Sequence, residues 1–249
     1  MRSRILTSTN PMLRSVGRHS YDAENSVTYM GISIKTMFLF SLLVLSGFTA
    51  IEYFDYLFAN ISLFIVASIG AFVVAILSMM LPRYAVFLAP IYSILTGVFL
   101  GGIVMGVSIV YGTAIPQTAF ILTLTIFGTM LILFMSGIVR VGTFLRRFTH
   151  SVLSGLVVFS LIMFVLSITG SSLAGLVYQN TSFMLLFSLI GAATATLMIL
   201  IDFDNCSMMV QAGAPKEHEW GLALGLIITI VWLFMKLLRI LIILTSRRD

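Results

Sequence analysis

The sequence predicts an all-α, polytopic membrane protein with seven transmembrane helices. Three observations lead there: 59% of the residues are hydrophobic, 9% are charged, and the apolar residues gather in membrane-length runs. With a mean hydropathy of +1.11, the 249-residue chain has too few Lys, Arg, Asp and Glu to clothe a core in water. The lipid bilayer must supply much of the solvent.

The runs cover 32–51, 61–81, 85–110, 116–139, 152–169, 182–201 and 221–244, and each is long enough to cross about 30 Å of hydrocarbon as a helix. They are continuous instead of alternating apolar with polar, which excludes the strands of an outer-membrane barrel. Residues 1–28 are polar, carry Arg2, Arg4, Arg14 and Arg18, and read as a cytosolic tail; 29–249 form the transmembrane domain. The first run is too long for a signal peptide and no small-residue cleavage pattern follows it, so it is a retained span.

Orientation follows from Lys and Arg. The four arginines and Lys35 lie at or before the first span, Arg83 follows the second, Arg140, Arg146 and Arg147 follow the fourth, and Lys216 follows the sixth. The loops after spans one, three and five have none, which puts the amino end in the cytoplasm. Seven crossings then carry the carboxyl end outside, against the preference of Arg247 and Arg248.

Several functions drop out. The basic residues flank spans and form no stripe suited to nucleic acid. Cys206 has no cysteine to pair with, no His/Cys cluster has metal-ligand spacing, and no motif implies a cofactor. His19, His150 and His218 fall in polar flanks, and no catalytic constellation sits at membrane depth, so the chain does not read as an enzyme. Gly97, Gly101, Gly102 and Gly106 mark the third span as a packing helix, and Gly191, Ala192 and Ala195 do the same for the sixth.

Two groups of ionisable residues invite a function. Lys236 and Arg239 are three apart on one face of the last span, at the level where Glu52 and Asp55 leave the first. They read as an ion-paired clamp between helices, or as a charged gate. On the cytosolic side, Asp202 and Asp204 end span six while Glu217, His218 and Glu219 open span seven. Crowded carboxylates supply oxygen ligands for hard cations and hold protons more readily, so these five are candidates for sensing calcium or protons. The alternative is a solvated loop with Glu217 and Glu219 at a helix amino end. Asp202 and Asp204 point to different faces, which argues against an aspartyl-protease pair.

The stretch Ala212–Trp220, with Gly225-Leu226, Val231-Trp232-Leu233 and Leu237-Leu238-Arg239-Ile240-Leu241, resembles the closing signature of the Bax inhibitor-1/YccA family. Asn10-Pro11-x-Leu13 with Gly31 and Lys35-Thr36 resembles the amino-terminal pattern of its bacterial branch, and Tyr92, Gly97 and Gly101 fit its third helix. The resemblance implies six helices packed around a central seventh, in the plasma (inner) membrane. It also implies either a pH-sensitive calcium leak controlled by aspartates at the cytosolic mouth, or a non-conducting regulator acting through partners such as a membrane protease. Asp202 fits the family aspartate of helix six and is the residue to which calcium would be assigned. The usual partner in helix seven is Thr229 here, the third-helix glutamate is Thr96, and an acidic position before Leu-Leu-Arg is Lys236.

Overall fold

Inside hydrocarbon every backbone N–H and C=O must be paired within the protein, and each apolar run meets that demand as an α-helix. The computed structural model describes residues 26–81, 84–136 and 141–246. Its helices are α1 (Tyr29–Glu52), α2 (Phe54–Ala59), α3 (Ile61–Met80), α4 (Ala85–Tyr111), α5 (Ala114–Met135), α6 (Thr143–Ile168), α7 (Ser172–Gln179), α8 (Thr181–Gln211) and α9 (His218–Thr245). Six of them, α1, α4, α5, α6, α8 and α9, are long and apolar enough to cross a membrane. The expected second span, α3, contributes a shorter apolar stretch, Phe64–Ser78. The tail 1–25 with its arginines, His19 and the Asn10-Pro11 pattern lies outside the described residues, as do Arg83, Arg140, Arg247, Arg248 and Asp249.

Many hydroxyls within the helices satisfy themselves locally. Thr36, Thr123, Ser188, Thr194 and Thr196 each donate to the carbonyl four residues back, so they cost little in an apolar setting. Large apolar side chains such as Phe72, Phe87 and Phe164 point outward, as a lipid-facing surface requires.

The helix ends differ from expectation where polar residues continue a helix past its apolar run. α6 starts at Thr143 instead of 152, and α8 runs to Gln211 instead of 201. Both extensions carry charged residues, Arg146 and Asp204, which bind one another across the two helices. The short helices α2 and α7 occupy segments read as loops.

α9 packs against α1, α4, α5 and α8. α1 and α4 meet through backbone: a side chain at Gly97 would collide with Ser46 Oγ and the Leu43 carbonyl, and one at Gly101 with the Gly47 carbonyl. Since 43 faces 97 and 47 faces 101, α1 and α4 run in the same direction. Gly102 seats the ring of Phe64 from α3. Gly106, expected to share this packing, has nothing within 4 Å of its would-be Cβ. Gly97→Ala should therefore cost about 1–3 kcal/mol by forcing α1 off α4, while Gly106→Ala leaves stability unchanged. Thermal unfolding in detergent separates the two, and an equal loss from both would refute this packing.

Candidate functional site

The segment before α1 is joined to the loop between α8 and α9, so that α1 and α9 begin side by side, at what we call the near end. Ser26 bridges to Pro215, and Val27 N–H donates to the Ala214 carbonyl at 2.8 Å. Gly213, at φ 62°, turns the chain out of α8 toward this contact. Thr28 caps α1 by accepting from Gly31 N–H at 3.0 Å.

Beneath the cap lies the fully buried side chain of Glu219. It accepts from Thr28 N–H at 2.9 Å, from Thr28 Oγ1 at 3.1 Å, and from Lys35 Nζ at 2.5 Å. A Cβ at Gly31 would collide with the Glu219 carboxylate, so only glycine leaves room for it. Lys35 also sits 5.3 Å above the Trp220 ring, and Phe38 meets that ring edge-on. Glu219 is thus committed to joining α1 to α9 and is not held at an open cation mouth.

The other members of the expected carboxylate group are likewise dispersed. Asp204 pairs with Arg146 Nη2 at 2.6 Å, while Arg146 Nη1 donates to Asn205 Oδ1 at 2.7 Å, tying α6 to α8. Glu217 is exposed. His218 lines a cavity of about 230 Å³ together with Met209 of α8, Ser78 of α3, and Gly221, Gly225 and Ile228 of α9. Asp202 is half-buried on the face of α8 turned to α9, where Thr229 Oγ1 donates to its Oδ2 at 2.6 Å. Thr229 lies one turn beyond Gly225, to whose carbonyl its hydroxyl also donates at 3.2 Å, but neither Thr229 nor Asp202 lines this cavity. His150 of α6 is its electrostatic neighbour. Among the described residues, no three His, Cys, Asp or Glu side chains converge to hold a metal ion.

At the far end, the expected clamp takes a different form. Lys236 extends over Gly191 of α8, where an added Cβ would meet its Cε at 2.8 Å, and its Nζ lies 5.0 Å from the centre of the Phe187 ring. Arg239 Nη2 reaches Met184 Sδ at 3.9 Å. Both therefore turn toward α8. Glu52 and Asp55 are exposed where α1 ends and α2 begins, and among the described residues no ion pair joins either to Lys236. The rotation of α9 that turns Lys236 toward α8 was not legible in the spacing. A second, larger cavity of about 480 Å³ lies among α1, α4, α5 and α9, walled by residues such as Phe48, Leu100, Val104, Phe120 and Phe234. No charged residue lines it; its polar side chains are Ser108, Thr113, Gln117 and Thr123, so it offers a hard cation no carboxylate.

Sequence reasoning missed the Glu219–Lys35–Gly31 contact, although its parts stood in the amino-terminal and closing patterns quoted above. No signal within either stretch says that they touch. A protein-family model described as "Bax inhibitor 1 like" matches residues 10–246. No curated protein matches the chain.

The geometry sets an expectation for the buried pair. Lys35→Met or Glu219→Gln alone should destabilise the protein by about 3–5 kcal/mol, because each strands or starves the other group, and the double variant should lose less than the sum. Chemical unfolding of the four proteins completes the cycle, and strictly additive losses would rule out direct pairing.

Proposed function

Because the chain belongs to the Bax inhibitor 1-like family of multi-pass membrane proteins, which are not enzymes, we propose that it is a cation leak controlled by protonation of Asp202. The observation that carries this reading is the environment of that residue. Asp204 is neutralised by Arg146 and Glu219 by Lys35, whereas Asp202 is held inside the bundle by the neutral hydroxyl of Thr229. An ionised Asp202 offers oxygen to a hard cation such as calcium entering beside Gly221 and Gly225. Protonation removes that ligand's charge, and flux falls with it.

In this reading the near end is cytosolic, since Lys35, Arg146 and Lys216 lie there and the loops toward the far end lack Lys and Arg. The protein sits in the plasma membrane. All seven long helices cross, with six arranged around α9. The parallel course of α1 and α4 supports a crossing by α3, because the chain must return between them. The contacts of α9 with four other helices support its central place.

A second reading, a non-conducting regulator that works through protein partners such as a membrane protease, has its own support. Lys236 and Arg239 continue the α9 face that carries Thr229, so a cation moving along this seam past Asp202 meets two positive charges.

Proteoliposomes loaded with a calcium indicator distinguish the two. The leak reading expects flux that rises with pH in the unmodified protein, a flat profile at the low-pH level for Asp202→Asn, and little change for Asp204→Asn. Sealed liposomes at every pH would end the leak reading and leave the regulator.

A further inference from the structure

The cavity of about 480 Å³ among α1, α4, α5 and α9 takes no part in the proposed leak, and its walls specify an occupant. α5 packs along α4, α8 and α9 but not along α1, which leaves a cleft crossed by the stacked rings of Phe40 and Phe120, 6.4 Å apart. Phe48 of α1 and Phe120 and Leu124 of α5 line the cavity and are also exposed at the outer surface, so it opens through this cleft. All four helices are long and apolar enough to cross a membrane, and the opening therefore faces lipid.

The cavity has a defined depth and a polar end. Its lining runs from Phe40 to Ile51 on α1 and from Thr113 to Leu124 on α5, about 16 Å along each axis at 1.5 Å per residue and half of a hydrocarbon core about 30 Å thick. α1 ends and α5 begins at the far end, so this is the depth of the far leaflet. In the deep part, Thr123 gives its hydroxyl to the Ala119 carbonyl at 2.7 Å and the rest of the wall is apolar. Ser108, Thr113 and Gln117 lie at the far end, where α4 gives way to α5. Ser108 donates to the Val104 carbonyl at 2.7 Å, whereas the Gln117 side-chain amide has no hydrogen-bond partner among the described residues. Glu52 and Asp55, at the same end, are exposed, and the loops there carry no Lys or Arg. A phosphate or carboxylate in the cavity would meet no counter-charge. An amide both donates and accepts, which matches a neutral hydroxyl.

We infer that this cavity binds a single-chain, hydroxyl-headed neutral lipid of the monoacylglycerol type, taken from the far leaflet. The acyl chain enters through the cleft between α1 and α5 and fills the apolar part, which water would leave empty. The head stays at the far end, with a hydroxyl on the Gln117 amide. The volume is that of a pocket for one small ligand. The site is independent of whether the protein conducts ions: Ile227, Ile230, Val231 and Phe234, its α9 wall, lie on the opposite side of that helix from Thr229.

Native mass spectrometry of the full-length protein released from detergent, titrated with monooleoylglycerol, oleate or phosphatidylcholine, tests the site without a variant. Monooleoylglycerol should saturate at one molecule per protein and be retained on the order of tenfold more tightly than oleate, whose charge is unpaired in the cavity. Gln117→Leu changes an exposed side chain in the first turn of α5 and leaves the fold intact. It should weaken monooleoylglycerol retention on the order of fivefold, the worth of one neutral hydrogen bond. Equal retention of oleate would overturn the proposal, and equal retention of phosphatidylcholine would overturn it by showing that an ordinary bilayer lipid fills the cavity. So would loading that never saturates, undiminished retention in Gln117→Leu, or a dimer that excludes monooleoylglycerol because a second copy covers the cleft.

Discussion

A buried carboxylate is tolerated only when its partners are fixed in place, and Glu219 fixes much of this protein by that requirement. Its oxygens draw in the Thr28 amide and hydroxyl and the Lys35 ammonium, and the absent side chain at Gly31 lets α1 come close enough to supply them. The first helix is thereby held beside the start of the last. That contact orients the opening turns of α9, which puts Gly221 and Gly225 along a cavity and sends Thr229 toward Asp202 one turn deeper.

From there the α8/α9 pair acts as a ruler. The helices run antiparallel, with Asp202 against Thr229, Gly191 against Lys236 and Met184 against Arg239. One face of α9 thus carries the hydroxyl that donates to Asp202 in its first half and two basic residues in its second. Asp204, two residues from Asp202, points to α6 and is occupied by Arg146. The helix period therefore gives two neighbouring aspartates different partners: Asp204 closes an ion pair with Arg146, and Asp202 accepts from the Thr229 hydroxyl.

The sequence disclosed those features whose cause is local. Apolar runs of membrane length placed the long helices, because hydrophobicity and backbone pairing act on consecutive residues. It misplaced the start of α6 and the end of α8, where Arg146 and Asp204 extend the helices through a contact 58 residues apart in the chain. The carboxylate group at the near end read as one site because its members are close in number. Glu219 instead finds Lys35, 184 residues away. The partnership of Asp202 with Thr229 was legible only through family resemblance, which named both positions. The partners of Lys236 and Arg239 depend on how α9 is rotated, and α1 and α8 are both its neighbours.

The central claim is that Asp202 is the carboxyl inside the bundle that takes up and releases a proton. Infrared difference spectroscopy of the protein in lipid, recorded across a pH jump, observes this through the carbonyl stretch of a protonated carboxylic acid. A band that appears on acidification, persists in Asp204→Asn and vanishes in Asp202→Asn is the predicted result. A band that survives in Asp202→Asn would contradict the account.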